Sequence, residues 1–186
     1  IVHHGSGGVS DAREFRYASE LVALGVGAFV INSFKPRGIT STVSNQQAVT
    51  ANEMAQDAFA ALATLSKHPR VDPRRIGIVG FSKGASVALM TALARNAARY
   101  LSSGPRFALH VALYPGCGAH PLQPKGSGAP ILMLLGGADT YVGVAPCTEY
   151  AAKLLAAGNS VEVKIYPGAG HGFDGQQAFN VPTGEN

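Results

Sequence analysis

Apolar runs alternate along this chain with segments in which apolar residues recur at helical spacing. The runs that predict strands are residues 1–3, 27–32, 75–79, 107–114, 131–135 and 161–166. The segments that predict helices are residues 11–24, 47–67, 85–98 and 146–157. This alternation favours an α/β fold, with a mainly parallel sheet and helices on both of its faces. The 186 residues show no internal repeat and no linker, so we expect a single domain over residues 1–186.

The junction between the third predicted strand and the helix after it reads Gly80-Phe81-Ser82-Lys83-Gly84. A G-x-S-x-G sequence forms a nucleophile elbow when it lies between a strand and a helix. The serine hydroxyl then projects above the edge of the sheet, and the flanking glycines leave space where a Cβ atom would collide. The motif alone is weak, because glycine and serine are common. Its position here makes Ser82 a strong candidate nucleophile.

Two further candidates for a catalytic site follow later strands. Asp139 comes just after the strand predicted at 131–135, and His171 comes just after the strand predicted at 161–166. The carboxyl ends of parallel strands lie on one edge of a sheet, so both side chains can converge with Ser82. Serine, aspartate and histidine in this chain order are typical of the α/β-hydrolases. Asp174 is the alternative acid near His171.

These residue types fit nucleophilic catalysis. A serine hydroxyl is a poor nucleophile without an adjacent base, and His171 can take its proton and later deliver it to the leaving group. Asp139 would hold the imidazole in the required tautomer. The reaction also needs N–H donors for an oxyanion. We expect them from the backbone of Lys83 and from the glycine-rich loop at residues 4–8, where Ser6 is the candidate.

Composition and charge argue against several other classes of protein. Hydrophobic residues make up 46% of the chain and charged residues only 14%, which favours a compact fold over disorder. No apolar run reaches the roughly 18 residues that a membrane span needs. The net charge of +4 comes without a basic run or an aromatic stripe, so we expect no nucleic-acid partner. The cysteines and histidines lack zinc-type spacing, so we expect no metal site.

The two cysteines bear on the cellular compartment. Cys117 and Cys147 each lie a few residues after a predicted strand. If those strands are neighbours, the thiols lie near each other and can form a disulfide, which would indicate a periplasmic or secreted protein. Two unpaired thiols are the alternative, and they would fit a cytoplasmic protein.

Taken together, these residues resemble the dienelactone hydrolase-type members of the α/β-hydrolase superfamily. The segments that carry the resemblance are residues 4–8, 32–38, 80–84, 114–117, 136–139 and 171–173. The best-known dienelactone hydrolases use a cysteine nucleophile, whereas this chain has Ser82, which favours a serine esterase. The resemblance implies a sheet of eight strands, of which this chain would supply the third to the eighth. We therefore expect the first two strands and the last helix to be lacking.

Several residues near the predicted strand ends are candidates for a substrate pocket. The candidates for an acyl site are Phe34, Tyr114, Tyr141, Val142 and Phe173. Arg37 is a candidate partner for a substrate carboxylate, because a guanidinium group can bind a carboxylate through two hydrogen bonds. The alternatives are ordinary loop packing and, for Arg37, a position that faces solvent. We expect His3, His4 and His110 to be packing or core residues.

The residues and the resemblance together predict a serine hydrolase that cleaves small carboxylic esters or lactones through an acyl-enzyme. Serine, base and oxyanion donors suffice for this reaction, so we expect no cofactor and a small-molecule substrate as the partner. A peptidase or an acyltransferase of the same fold would use the same three residues. A non-catalytic binding protein of this fold is the alternative from another class, although such proteins typically lose one of the three.

Overall fold

The computed structural model describes residues 1–118 and 124–175, and in that part of the chain it contains one six-stranded sheet. The strands are β1 (Val2–His3), β2 (Val30–Ile31), β3 (Gly77–Phe81), β4 (Leu109–Leu113), β5 (Ile131–Gly136) and β6 (Val161–Tyr166). The helices are α1 (Arg16–Ala23), α2 (Ala51–Leu65), α3 (Lys83–Thr91), α4 (Ala94–Tyr100) and α5 (Ala145–Ala156), with a π-helical turn at Asp11–Phe15 and a 3₁₀ turn at Lys35–Arg37. The strand order is β2-β1-β3-β4-β5-β6, and every neighbouring pair is parallel. The predicted parallel α/β sheet is confirmed.

Helices cover both faces of this sheet. Adjacent residues of β3 show the division, because side chains of a strand alternate between its two faces. Ile78 packs with Phe59 of α2 in a core that α3 also joins. Val79 packs on the opposite face with Leu21 of α1. Helix α5 packs with α3 against β4 and β5. Ser82 and Asp139 follow β3 and β5, whose residues are largely buried, whereas His171 follows the edge strand β6, which is partly exposed.

The segment predicted as one helix at residues 85–98 forms two helices, α3 and α4. Leu93 between them has an extended backbone (φ −83°, ψ 128°) and forms a bridge to Gly126. The N–H of Ser127 donates to the carbonyl of Ala92 at 2.8 Å. A distant part of the chain therefore pairs with the break, and the helical spacing of the alanines could not reveal it.

The other predicted elements differ from the structure mainly at their ends. The strand predicted at 27–32 is shortened to Val30–Ile31, at one edge of the sheet. The helix predicted from residue 47 begins at Ala51, because Thr50 and Glu53 form a capping box. The Thr50 Oγ1 atom accepts from the Glu53 N–H at 3.3 Å, and the Glu53 Oε2 atom accepts from the Thr50 N–H at 2.7 Å.

Two buried histidines link strands to helices in the core. Burial lowers the pKa of His3 and of His110 to about 4, so both rings are neutral at pH 7. The His3 Nε2 atom lies 3.2 Å from the Met54 carbonyl of α2. The His110 Nδ1 atom lies 3.1 Å from the Thr91 hydroxyl of α3. Both are internal polar contacts of the core, as the sequence analysis expected for these residues.

Candidate active site

The loops that carry the nucleophile and one oxyanion candidate follow β1 and β3, the neighbouring strands where the strand order reverses. In open α/β sheets, ligands bind outside the carboxyl ends of the strands at such a point. Ser82 directly follows β3, and Ser6 lies in the loop after β1. The two loops touch, since a Cβ atom built on Gly5 would lie 3.3 Å from the Cβ atom of Ser82. The topology itself brings the two candidates together.

The elbow at Ser82 has the backbone conformation that its sequence suggests. Ser82 has φ 52° and ψ −115°, a positive φ that few residues other than glycine adopt. A Cβ atom on Gly80 would overlap the Gly84 carbonyl, and one on Gly84 would overlap the carbonyls of His3 and His4 in and after β1. Strained backbone of this kind persists where the surrounding structure holds it, often at functional sites. The two glycines are needed for the close approach of helix, strand and loop.

The structure brings Ser82, His171 and Asp139 together in one hydrogen-bonded chain. The His171 Nε2 atom lies 2.9 Å from Ser82 Oγ, and the His171 Nδ1 atom lies 2.8 Å from Asp139 Oδ2. Asp139 and His171 are each only 7% exposed. A carboxylate only accepts hydrogen bonds, so Nδ1 carries the imidazole proton and Nε2 is left to accept from the serine hydroxyl. This is the tautomer that a general base needs.

The turn after β5 holds the Asp139 carboxylate in place. Its Oδ1 atom accepts from the backbone N–H groups of Tyr141 at 2.9 Å and Val142 at 3.1 Å. The Oδ2 atom is therefore the one presented to His171. The residues that follow the aspartate thus fix its orientation through their backbone, whatever their side chains are.

Asp174, the alternative acid, supports the histidine loop in another way. Its Oδ1 atom accepts from the Tyr114 hydroxyl at 2.6 Å, and its carbonyl accepts from Arg16 Nη2 of α1 at 2.7 Å. Burial raises the pKa of the Tyr114 hydroxyl, so that the hydroxyl remains a donor to Asp174. The Tyr114 ring packs edge-on against His171, with centroids 4.8 Å apart. Asp174 anchors the histidine loop, and Asp139 is the acid on the imidazole.

The two predicted oxyanion donors are both available. In residues 1–118 and 124–175, the backbone N–H groups of Ser6 and Lys83 have no acceptor. Lys83 is the first residue of α3, where backbone N–H groups lack an intrahelical partner and the helix dipole favours negative charge. The Ser6 hydroxyl donates to Gln46 Oε1 at 3.0 Å, so its side chain is occupied elsewhere.

His4 sets the direction of the Ser6 N–H. Its Nε2 atom accepts from the Ser33 N–H at 3.1 Å, so Nδ1 carries the proton and donates to the Gly5 carbonyl at 2.7 Å. The Gly8 N–H donates to the same carbonyl at 3.1 Å. The Gly5 carbonyl and the Ser6 N–H belong to one trans peptide group and point in opposite directions. Burial lowers the pKa of His4, which favours the neutral ring that this arrangement requires.

The structure corrects three of the six pocket predictions. Phe34 is 1% exposed and packs against the His4 ring at 4.3 Å, so it belongs to the core. Tyr114 is also 1% exposed and acts as a support rather than a pocket wall. Arg37 does not offer a free guanidinium group, because its Nη1 and Nη2 atoms bind Asp57 at 2.7 Å and 3.0 Å. These side chains turn toward partners that the sequence pattern does not identify.

The other three pocket candidates lie beside the triad. Tyr141 is 44% exposed, and the centroid of its ring lies 4.9 Å from that of His171. Val142 follows in the same turn and is partly buried. Phe173 is partly buried against Tyr114, with centroids 5.5 Å apart. A role in substrate binding stays a prediction for all three.

A disulfide joins Cys117, in the loop after β4, to Cys147, in the first turn of α5. Both residues are buried in the core that α3, α5, β4 and β5 share. The bond ties α5 to the segment that follows β4. It therefore holds two neighbouring loops at the carboxyl edge of the sheet.

A cavity of about 780 Å³ lies along α3, one helical turn beyond the nucleophile. Ser86, Gly116 and Cys117 line one part of it, and Arg95 and Arg99 of α4 line another. None of the six predicted pocket residues is among its lining residues. Leu93, at the break between α3 and α4 that the sequence does not predict, also lines the cavity.

The described residues contain neither a cluster of metal ligands nor a membrane-spanning helix. No group of three or more His, Cys, Asp or Glu side chains there is placed to hold a metal ion. No helix within the same ranges combines the length and the hydrophobicity that crossing a membrane requires.

Comparison with known proteins identifies the family. The family described as the dienelactone hydrolase family matches residues 2–181. The chain belongs to this family. It is 28% identical over 170 residues to a Methylorubrum extorquens protein assigned as a carboxymethylenebutenolidase, covering 82% of this chain and 55% of that protein. It is 31% identical over 125 residues to a Bradyrhizobium protein assigned as a 2-oxo-3-(5-oxofuran-2-ylidene)propanoate lactonase, covering 65% and 49%. The chain spans about half the length of these two relatives.

Solved structures of similar fold agree with the family assignment. A thermophilic esterase from Thermogutta terrifontis superimposes with a TM-score of 0.71 at 19% identity, covering 94% of this chain and 72% of the esterase. A Klebsiella pneumoniae protein assigned as a dienelactone hydrolase gives a TM-score of 0.72 at 20% identity, covering 94% and 75%. At this identity the likeness concerns the fold. The α/β-hydrolase resemblance stated from the sequence is confirmed.

Two supports of the site were not predicted from the sequence. His4 was expected to be a packing residue, although a histidine directly before Gly5 in an oxyanion-type loop can hydrogen-bond the loop backbone. Asp174 was expected only as an alternative to Asp139, although a carboxylate three residues after His171 can instead anchor the loop. Both roles depend on partners from other elements, Ser33 and Tyr114, that no local pattern indicates.

Proposed function

We propose that this member of the dienelactone hydrolase family is a serine hydrolase that cleaves small carboxylic esters or lactones. Ser82 is the nucleophile, His171 the general base and acid, and Asp139 the residue that orients the imidazole. The observation that carries this proposal is the hydrogen-bonded chain from Ser82 Oγ through His171 to Asp139. A positioned base, itself oriented by a third group, is what activates a serine hydroxyl.

In the first half of the reaction, Ser82 Oγ attacks the substrate carbonyl carbon while His171 Nε2 takes the hydroxyl proton. An electron pair moves onto the carbonyl oxygen, which becomes an oxyanion. The tetrahedral intermediate then re-forms its carbonyl and breaks the bond to the leaving oxygen. That oxygen takes the proton from His171, and an acyl-enzyme remains on Ser82. In a lactone the released hydroxyl stays attached to the acyl group.

In the second half, water attacks the acyl carbon and His171 takes one of its protons. Collapse of the second tetrahedral intermediate breaks the bond to Ser82 Oγ, which recovers its proton from His171. The products are the carboxylic acid and the free serine. Water is the only co-reactant, so the described residues supply every proton transfer that the reaction needs.

The oxyanion in both steps would accept from the backbone N–H groups of Ser6 and Lys83. Support comes from their position on the two loops that meet at the strand-order reversal, and from the lack of an acceptor for either group in the described chain. His4 aims the first donor, and the start of α3 aims the second. Fixed donors of this kind commonly provide a large part of the rate enhancement.

The substrate class follows from the family and its relatives. One relative is assigned as a lactonase, another as a carboxymethylenebutenolidase, and a protein of similar fold is an esterase. A serine triad can cleave both linear and cyclic esters, because in each case the serine oxygen displaces the ester oxygen and an acyl-serine ester forms. We therefore assign small esters and lactones to this chain as one class.

The proposal is tested by turnover of p-nitrophenyl acetate and of a simple five-membered lactone, with product acid measured by titration. We expect both to be hydrolysed. Added methanol separates hydrolysis from acyl transfer, because an acyltransferase would give mostly methyl ester at modest alcohol concentrations. A chain whose circular dichroism shows it to be folded, but which turns over no ester or lactone, would contradict the proposal and favour a binding protein.

We further propose that the protein matures in an oxidising compartment, in the periplasm or outside the cell. The support is the buried Cys117–Cys147 disulfide, since disulfides persist mainly in such compartments. The intact protein should gain the mass of two hydrogen atoms on reduction under denaturing conditions. Replacing both cysteines by serine should lower the free energy of unfolding by about 2–4 kcal/mol. Two free thiols in protein prepared under oxidising conditions would refute the disulfide and with it this compartment.

A further inference from the structure

The Lys83 side chain connects the two oxyanion donors of the proposed site. Its backbone N–H is one of these donors, while its ammonium group binds the segment at residues 42–49. We propose that this side chain is a positioning residue, which holds the loop of Ser6 against the elbow. The inference rests on the proposed function, because it concerns the geometry of the same site.

The ammonium group of Lys83 is fully used by that segment. It donates to Thr42 Oγ1 at 3.2 Å, to the Gln46 carbonyl at 2.8 Å and to the Val49 carbonyl. An ammonium group has three donors, so each has one acceptor. Thr42 and Val49 are fully buried, and Lys83 itself is partly buried. Desolvation lowers the pKa of Lys83, in keeping with an internal role rather than that of a solvated surface lysine.

The same segment, together with Ser41 directly before it, holds Ser6 from two sides. The Thr42 N–H donates to the Ser6 carbonyl at 2.8 Å, and the Ser41 hydroxyl donates to that carbonyl at 3.2 Å. The Ser6 hydroxyl donates to Gln46 Oε1 at 3.0 Å. Ser6 is therefore held at its carbonyl and at its side chain by residues that Lys83 binds.

These contacts connect the two donors through hydrogen bonds. The Lys83 side chain binds Thr42 and Gln46, and these two residues bind Ser6, whose backbone N–H is the other donor. Oxyanion donors act only when they lie about 3 Å from the developing charge, and a misplacement of about 1 Å can cost a large factor in rate. The Lys83 side chain thus helps to set the separation at which both donors can reach one oxygen.

The test is the Lys83→Met variant, which keeps the backbone N–H and most of the side-chain length but removes the ammonium group. We expect kcat for p-nitrophenyl acetate to fall by about 10- to 100-fold, with little change in KM. This loss is no larger than the one that follows removal of an entire oxyanion donor, which is about 10²- to 10³-fold in kcat. The Ki of a trifluoromethyl ketone should rise by a similar factor. This inhibitor forms a hemiketal on Ser82 whose oxyanion needs the same two donors. Lys67→Met, at an exposed position just after α2, is the matched control and should change neither quantity.

The Ki value separates positioning from a structural role. A variant that is only partly folded loses kcat in proportion to its active fraction, but the active molecules keep the Ki of the wild type. A Lys83→Met protein with Ki and kcat near the wild-type values would overturn the inference, as would a lower kcat with unchanged Ki.

If that variant does not fold, Thr42→Val removes one acceptor and retains the N–H to Ser6. Its Ki should rise measurably, and an unchanged Ki would overturn the inference there. Absence of esterase activity in the wild type would instead reject the proposed function.

Discussion

Ser82→Ala is expected to lower the turnover of p-nitrophenyl acetate by about 10⁴-fold or more, as removal of a nucleophile from such a unit does. The expectation follows from the geometry, because the Ser82 hydroxyl is the group within hydrogen-bond distance of His171 Nε2. Alanine removes the bond-forming oxygen but leaves the oxyanion donors intact. The variant should therefore still hydrolyse the ester somewhat faster than water alone does.

The measurement is kcat under saturating substrate, with melting temperature as a check of folding. Ser19→Ala provides a control, since that serine is exposed on α1 and its hydroxyl donates to the helix backbone at Phe15. It should retain wild-type turnover. Retention of more than about a tenth of the activity by folded Ser82→Ala would exclude Ser82 as the nucleophile.

Asp139→Asn is expected to have the next largest effect, a loss of about 10⁴-fold in kcat. The structure gives a specific reason. The Tyr141 and Val142 N–H groups need an acceptor, so they would hold the amide oxygen of the variant and leave its NH₂ group facing His171. His171 Nδ1 would then have to accept, and the proton would move to Nε2, where it blocks removal of the serine proton.

Asp174→Asn is the matched comparison. Asp174 accepts from Tyr114 through Oδ1, and an asparagine oxygen can accept in the same way. We expect a loss of less than about tenfold, since anchoring contacts at the edge of a site cost less than members of the catalytic unit. The opposite ranking, with Asp174→Asn inactive and Asp139→Asn active, would show that the acid had been assigned to the wrong residue.

The fold and the convergence of the three triad candidates could be predicted from the sequence because their signals are local and repeated. Apolar runs mark buried parallel strands, and each catalytic candidate directly follows one of them. The two glycines beside Ser82 are an additional signal, because Gly80 allows α3 to approach β3 and Gly84 allows it to approach β1 and the loop after β1. Because the carboxyl ends of parallel strands lie on one edge of a sheet, Asp139 and His171 could be predicted to lie near Ser82.

The pocket and the supports could not be predicted in this way, because they depend on side-chain directions set by distant partners. In the sequence, Arg37 has no evident partner, but in the structure its guanidinium group binds Asp57 of α2. Phe34 follows a strand end but packs inward against His4. Leu93, at the break between α3 and α4, lines the cavity beside α3 and forms a bridge to Gly126. In each case the deciding contact joins segments whose relative positions no local periodicity specifies.

The most direct test of the central claim is to identify the residue that a fluorophosphonate probe labels. The oxygen of an activated serine attacks the phosphorus atom of such a probe and fluoride leaves, so that the serine carries a stable covalent label. We predict one adduct per chain, located on Ser82 by peptide mass spectrometry, and its loss when His171 is replaced by alanine. A folded wild-type chain that takes no label, or that carries the label on another serine, would contradict the account.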